Sequence, residues 1–491
     1  MRVSGKVSLV GAGPGDPMLL TRRGLELLEA ADCVVYDRLV GRPILDLIPE
    51  RAERVNVGKE ASRHPVPQDE INRILLEKAQ AGMNVVRLKG GDPFLFGRGG
   101  EELELLAEHG VPFEVVPGVT SALAAPAYAG IPATHRAFAS SLHIVTGHAK
   151  AGGALNINFR ALAESGGTLV FLMGVTSMGS ICRGLLDAGM APDTPAAMVE
   201  SGTTPAQRKV VSTLSQLPRE AADRGIHPPA VLIVGQVCSL SETFDWFDRL
   251  PLKGRAVVVT RPRERCGTLA ARLRALGAET VELPCIATVP ITPCPDLTQA
   301  VRRIGEYRTL VFTSPFGPGL FFDELRRQGM DARALAGLRI AVIGPRTGEA
   351  VEACGLRPDI VPQVYDTEHL APLLTEGPVL LCRSQQGNPE LTGDLRRRGV
   401  PFTEVSTYRT ESGCPQSAEI SPGSWVTFTS ASTVEGFVRT VPRELLGSVT
   451  GFCIGRHTAD AARKYGIRVQ VAEKATIDDL VELILKEAAF L

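Results

Sequence analysis

From residue 6 onward, short apolar runs alternate with helical patterns, and that rhythm limits the folds open to this chain. VSLVGAG (7–13), CVVYD (33–37), NVVRLKGG (84–91), LHIVTGH (142–148), TLVFLMG (168–174) and AVLIVGQV (230–237) are each too short for a buried helix. Between them lie segments such as LLTRRGLELLEAA (19–31), with apolar residues at helical spacing. Strands alternating with helices predict an α/β architecture. The rhythm stops over CSLSETFDWFDRLPLKG (238–254), and a new strand begins at RAVVVTRP (255–262). We therefore expect one domain over 1–240, a linker over 241–253 and a second domain over 254–491.

The second half repeats itself. LVFTSPFGPGLFF (310–322) is echoed by VTFTSASTVEGF (426–437), and IAVIGPRTGEAVEACGL (340–356) by GFCIGRHTADAARKYGI (451–467). AVVVTRP (256–262) matches VLLCRSQ (379–385) more loosely. The offsets are about 110–120 residues, far beyond a solenoid period. They predict two similar α/β lobes with a ligand cleft between them.

At 491 residues and 44% hydrophobic content, each domain can bury its own core. A formal net charge of −1 argues against a nucleic-acid partner recruited by bulk charge. Ten cysteines without a C-x-x-C pair read as reduced, buried thiols rather than a zinc ribbon or a disulfide framework. The start, MRVSGKVSLVGAG, leads straight into a strand without a signal peptide, and no apolar run reaches membrane-spanning length. A cytoplasmic protein is expected.

Two glycine-rich loops frame the chemistry of the first domain. VSLVGAGPGDP (7–17) starts like a dinucleotide fingerprint, but Asp16 stands where the third glycine belongs. Pro14 and Pro17 also remove N–H groups that a pyrophosphate would use. RLKGGDPFLFGRGGEE (87–102) lacks the Gly-Lys-Ser/Thr ending of a phosphate-binding loop. Loops carrying Asp16 and Asp92 suit a cationic ligand with hydroxyls, such as S-adenosylmethionine. The other reading is of tight turns with capping aspartates.

VGAGPGDPMLLT (10–21), VVYDRLV (34–40), RLKGGDPFLFGRGGEE (87–102), VPGVTSALAAPAYAGIPATHR (116–136) and TGH (146–148) resemble uroporphyrinogen-III C-methyltransferase of the tetrapyrrole methylases, over residues 5–240. The resemblance implies a non-Rossmann methylase of two α/β subdomains. It implies S-adenosylmethionine in the trough between them, leaving as S-adenosylhomocysteine, and a homodimer formed through this domain. Carried over by motif, the cofactor contacts are Pro14, Gly90, Gly91, Asp92, Leu95, Thr120, Ser121, Met173, Gly202 and Ala230. Asp37 and Lys59 match the positions of proton transfer. The stretch SRH (62–64) departs from the family outline, which puts substrate-side detail there in question. The tetrapyrrole substrate is a polycarboxylate, so Arg38, Lys89, Arg98 and Arg136 are candidates to hold it. The chemistry requires no metal.

In the second domain, Thr347 and Thr458 stand before helical runs as natural N-caps, where N–H groups make an anion site. Ser314 and Ser430 sit at strand ends. Arg261, Arg263, Arg265, Arg346, Arg383 and Arg456 add positive charge near those ends. TRP, FTSP, IGPRT, YRT, FTSAS, IGRHT and TIDDLVELI, in that order, resemble uroporphyrinogen-III synthase over 254–491. That resemblance implies lobes of 255–285 with 412–491, and of the span between. It also implies closure of hydroxymethylbilane to uroporphyrinogen III with inversion of the last pyrrole, and Tyr408 aiding departure of the hydroxyl. Arg261, Ser314, Thr347, Ser430 and Thr458 would bind substrate carboxylates. The synthase product is the methylase substrate, so the fusion implies a bifunctional enzyme leading to precorrin-2. The alternative is a methylase regulated by a non-catalytic, tetrapyrrole-binding second domain.

Overall fold

The computed structural model describes residues 5–58, 66–148, 155–261, 263–412 and 420–489, with backbone alone for 263–267 and 412. The chain divides into two compact units, Met1–Arg255 with Leu273–Glu279, and Ala256–Arg272 with Thr280–Leu491.

The first unit holds two sheets. Strands β1 (Lys6–Gly11), β2 (Cys33–Tyr36), β3 (Glu53–Asn56), β4 (Asn84–Lys89) and β5 (Phe113–Val116) form a parallel sheet in the order β3-β2-β4-β1-β5. Helices cover both faces, which is why these strands read as continuous apolar runs. Leu28 and Ile44 pack with Val10, Val34 and Leu88 on one face, and Leu75 and Leu106 with Val7, Leu9 and Val35 on the other.

The second sheet contains β6 (Leu142–Thr146), β7 (Thr168–Leu172), β8 (Pro195–Glu200), β9 (Arg208–Thr213) and β10 (Ala230–Val234), in the order β6-β7-β10-β8-β9. Only β6–β7 is parallel here; β10 runs antiparallel to β7 and β8, and β8 to β9. The turn from Glu200 to Arg208 is too short for a parallel crossover, so a hairpin replaces the expected strand–helix step.

The second unit opens with β11 (Ala256–Val259) and β12 (Glu279–Glu282). The chain then leaves to build a whole sheet from β13 (Ile286–Pro290), β14 (Thr309–Phe312), β15 (Arg339–Val342), β16 (Val379–Ser384) and β17 (Phe402–Ser412). It returns for β18 (Trp425–Phe428), β19 (Thr450–Cys453) and β20 (Arg468–Val471). The strand orders are β12-β11-β18-β19-β20 and β13-β17-β16-β14-β15, so the first lobe is assembled from both ends of the unit. β13 is antiparallel to β17, while β14 lies parallel to β15 and β16.

Residues 241–253, expected as a linker, pack onto the first unit instead. Phe247 and Leu252 are buried, and Ser241 donates to the Ala129 carbonyl at 2.6 Å. The apolar side chains of this segment outweigh its turn-like composition. Eight cysteines among the described residues are free thiols, and burial pushes Cys33 and Cys182 up to about 11 and Cys238, Cys285 and Cys453 up to about 12. Among the described residues no helix is long and apolar enough to cross a membrane.

A Cβ on Gly118 would stand 2.1 Å from the Gly91 carbonyl oxygen, with backbone on every near side. Gly118→Ala is expected to destabilise the first unit by about 2 kcal/mol or more. Gly100→Ala, in a helix where an added Cβ meets nothing within 4 Å, should be neutral or stabilise by about 0.5 kcal/mol. Urea midpoints of the two variants check both.

Candidate functional site

In the first unit β1 and β4 end in register, Gly11 beside Lys89. Beyond them the two glycine loops join: Ala12 N donates to Lys89 O at 2.7 Å, Gly91 N to Gly13 O at 2.7 Å, and Gly13 N to Gly91 O at 3.2 Å. Gly118, after β5, closes on the same point, since a Cβ on Gly11 would lie 2.5 Å from its Cα. Three strand ends thus meet through backbone alone.

Both loop aspartates are used in building these loops. Asp92 Oδ1 accepts from Phe94 N at 2.8 Å and Leu95 N at 3.1 Å, and its Oδ2 from Gly118 N at 3.0 Å. Asp16 Oδ1 accepts from Met18 N at 2.9 Å, and its Oδ2 from the Tyr128 hydroxyl at 2.8 Å. Burial, and then Asp16 itself, push the Tyr128 hydroxyl well above its ordinary value. The capping geometry is therefore the observed one for both side chains. Both carboxylates are thereby occupied by groups of the protein itself.

Other expected contacts gather around this point. Thr120 caps the helix Ser121–Tyr128, accepting from Ala122 N at 3.2 Å. Leu95 packs with Ala122 and Ala125 in the cluster over the second sheet, and a Cβ on Gly202 would meet Ala125 Cβ at 2.5 Å. Asp16 N donates to Thr203 Oγ1 at 3.2 Å, so the Pro14 loop and the Gly202 turn are tied together. Met173 follows β7, Gly202 follows β8 and Ala230 starts β10; the antiparallel pairings bring these ends to one edge of the sheet. Among the described residues the non-glycine left-handed positions are Phe96 (φ 52°), Arg98 (57°), Met173 (56°), Ser201 (49°) and Thr203 (71°), all in loops of this unit. Such backbone persists only where its surroundings over-determine it, and it clusters at ligand sites.

Asp37 follows β2 and is half-buried; its Oδ1 accepts from Leu39 N at 3.0 Å, and its Oδ2 lies 3.6 Å from Arg87 Nη2. Arg87 donates Nε to Glu102 Oε1 at 3.1 Å, and Lys89 Nζ reaches the same oxygen at 2.7 Å. Glu102 is 0% exposed, and its Oε2 has no hydrogen-bond partner among the described residues. Burial and the neighbouring Arg87 hold the Lys89 ammonium below its usual range, and Glu102 opposes them. Lys89 is thus an internal ion-pair partner and not a substrate grip, which corrects the sequence expectation. Arg98 pairs with Glu101 at 2.5 Å, while Arg38 and Arg136 are exposed. Sequence reasoning missed Arg87 and Glu102. The available signal was two cations two residues apart, on one face of an apolar strand, which require a buried counter-charge. Lys59 lies outside the described residues.

In the second unit, the helices Pro345–Glu352 and Arg456–Arg463 begin after extended Gly344 and Gly455, and neither has a side-chain cap. Thr347 and Thr458 are therefore first-turn residues, 2% and 5% exposed, and not N-caps. The preceding glycines take the cap position because an Ile-Gly strand end leaves directly into the helix. Ser430 does cap its helix, in a capping box with Thr433, and Ser314 Oγ accepts from Phe316 N at 3.3 Å. Arg261 follows β11, Ser430 β18 and Thr458 β19, at one edge of their sheet; Ser314 follows β14 and Thr347 β15 at the matching edge of the other. Tyr408 lies level with Ser384 at the end of β16, 5% exposed, its ring edge-on to Phe316 at 5.3 Å. Arg383 is occupied by Glu404 at 2.6 Å and by the Asn388 carbonyl at 2.7 Å. Arg346 and Arg456 are exposed, and the side chains of Arg263 and Arg265 lie outside those described.

The family model "Tetrapyrrole (Corrin/Porphyrin) Methylases" matches residues 6–218, and "Uroporphyrinogen-III synthase HemD" matches residues 267–482. A tetrapyrrole methylase followed by a uroporphyrinogen-III synthase is the class these two units define. The chain is 50% identical over 493 residues to Porphyrin biosynthesis protein HemD of Ruminiclostridium josui, covering 98% of each, and it belongs to that family. Siroheme synthase of Pseudomonas fluorescens is 53% identical over 248 residues, 50% of this chain and 53% of that protein, so the match spans about half of it. Among solved structures, uroporphyrin-III C-methyl transferase of Thermus thermophilus complexed with S-adenyl homocysteine is 46% identical, covering 48% of this chain and 99% of that one, with a TM-score of 0.42. A mutant uroporphyrinogen III synthase of Thermus thermophilus is 22% identical, covering 48% and 99%, with a TM-score of 0.37.

Glu102→Ala would leave Arg87 and Lys89 buried without their shared anion. The first unit is expected to lose about 3 kcal/mol or more, read as a fall in its urea midpoint.

Proposed function

We propose that the first unit transfers methyl groups from S-adenosylmethionine to uroporphyrinogen III, twice, giving precorrin-2. The second unit, on this reading, supplies that substrate by closing hydroxymethylbilane with inversion of the last pyrrole. The observation that carries the first assignment is the backbone junction of Gly11, Gly91 and Gly118 beside Asp37. A Cβ on Gly91 would meet nothing within 4 Å, so the Cα face of this residue is open while its N–H and C=O are held by Gly13, and Met173 is 50% exposed. A cofactor with an adenosyl group and a short zwitterionic chain suits an open Cα face of this kind, with Leu95 and Met173 proposed to contact it.

S-adenosylmethionine supplies an electrophilic methyl on its sulfonium. The chain's part is to hold Pro14, Gly90, Gly91, Asp92, Thr120, Ser121, Gly202 and Ala230 around it and to align the pyrrole carbon. Asp37, steadied by Arg87, then accepts the proton the ring must lose, with Lys59 assigned to the same transfer. In the second unit the edges bearing Arg261, Ser314, Thr347, Ser430 and Thr458 hold substrate carboxylates, and Tyr408 donates to the departing hydroxyl. We assign a homodimer formed through the methylase unit, a cytoplasmic setting and no nucleic-acid partner.

A second reading has an observation in its favour. Tyr408 is almost fully buried against Phe316, as a packing tyrosine would be, which suits a second unit that binds a tetrapyrrole without turning it over.

Incubating the full chain with hydroxymethylbilane and methyl-labelled S-adenosylmethionine should give a tetrapyrrole carrying two labels by mass. Without the methyl donor, the product should be the inverted isomer; the uninverted isomer alone would favour the regulatory reading. Asp37→Ala is expected to slow methylation about a hundredfold or more while binding of S-adenosylhomocysteine persists. A loss of binding with an unchanged maximal rate would remove Asp37 from the chemistry.

A further inference from the structure

Resting on the methyl-donor reading above, we infer that residues 241–253 are a strap of the methylase unit, in which Asp248, acting through Gln207, positions the donor-binding turn.

The turn in question is Ser201–Thr203. Its backbone is left-handed at Ser201 (φ 49°) and at Thr203 (φ 71°), a conformation that a β-branched residue adopts only under constraint. The constraint is a closed ring of hydrogen bonds. Thr203 N donates to Gln207 Oε1 at 2.9 Å, and Thr203 Oγ1 accepts from Asp16 N at 3.2 Å. Asp16 Oδ2 accepts from the Tyr128 hydroxyl at 2.8 Å, and the Tyr128 carbonyl accepts from Gln207 Nε2 at 3.1 Å. The ring clasps the Pro14 loop to the Gly202 turn.

Everything in it depends on which way the Gln207 amide faces. Gln207 is 4% exposed, and its second Nε2 hydrogen goes to Asp248 Oδ1 at 3.2 Å. The Asp248 carboxylate and the Tyr128 carbonyl both only accept, so together they turn the NH2 toward themselves and the carbonyl oxygen toward Thr203 N. Asp248 is held in turn by Lys209 at 3.3 Å and Lys253 at 3.4 Å. The strap around it is anchored by packing: Trp246 and Phe247 lie on Tyr128 with ring centroids at 4.9 Å each, and Trp246 Nε1 donates to the Ala127 carbonyl at 3.1 Å. Asp248 and Gln207 touch no reacting atom in this account. They are positioning residues.

The test uses the full chain and S-adenosylhomocysteine in a titration calorimeter, with steady-state methylation alongside. Asp248→Ala should raise Kd for S-adenosylhomocysteine and KM for the donor about tenfold, the cost of one charge-assisted hydrogen bond, with kcat at saturating donor within about twofold. Gln207→Glu, which sets two carboxylates against each other, should weaken binding at least as much. Asp248→Asn, whose side-chain amide can still turn an acceptor oxygen toward Gln207 Nε2, should keep Kd within about threefold of wild type. That contrast between Asp248→Asn and Gln207→Glu is one a merely structural loss would not show, and it keeps the inference testable if Asp248→Ala fails to fold. Wild-type heat with an unchanged Kd in Asp248→Ala, or a Kd in Asp248→Asn as weak as in Asp248→Ala, would overturn the strap's role alone. No heat from the wild-type chain would overturn the methyl-donor reading and the inference together.

Discussion

The methylase unit depends on one close approach: the carboxyl ends of β1, β4 and the segment after β5 touch backbone to backbone at Gly11, Gly91 and Gly118. Side chains at Gly11 or Gly118 would push the strand ends apart, and the two loops could then no longer exchange the Gly13–Gly91 hydrogen bonds. The parallel order β2-β4-β1-β5 delivers these ends to a single edge, where a parallel sheet offers its ligand crevice. Asp92 bridges the second loop to Gly118, so its charge stabilises the shape of the cradle.

Beneath that edge lies a charge cluster with almost no access to water. Arg87 and Lys89 share Glu102, and Arg87 extends toward Asp37 at the end of β2. A buried ion group of this kind adds little net stability compared with apolar packing, yet breaking it is costly. Its value lies in direction: the guanidinium is held from behind by Glu102 and by the Leu88 carbonyl, so its remaining edge faces the Asp37 carboxylate in one orientation. The same logic applies to the amide of Gln207, whose orientation follows from the two acceptors it meets, the Asp248 carboxylate and the Tyr128 carbonyl.

In the second unit, repetition is put to a different use. The two sheets share a plan of strand, Ile-Gly exit and first-turn threonine, but the chain begins one lobe, completes the other and returns. The chain's exit from the first lobe is packed tightly, since a Cβ on Gly436 would stand 2.3 Å from the Cys285 carbonyl oxygen.

Apolar runs bounded by glycine determined the α/β class, the place where the first rhythm breaks and the repeated plan of the second half, because strand burial is written locally in VVRLK or AVLIV. The motif residues of both glycine loops were legible for the same reason: close backbone approach tolerates only glycine at its contact points. Three things were decided by tertiary structure. The carboxylates of Asp16 and Asp92 were assigned to capping, because Tyr128 and Gly118 arrive from distant segments. Arg87 and Glu102 became a pair only when the helix Gly99–Glu108 was laid on β4. Residues 238–254, read as a break because their composition resembles a turn, were drawn onto the first unit by Phe247 and Asp248, which meet Tyr128 and Gln207 from far back in the chain. Local sequence encodes what a segment must bury or leave bare; only the assembled chain supplies the group it meets.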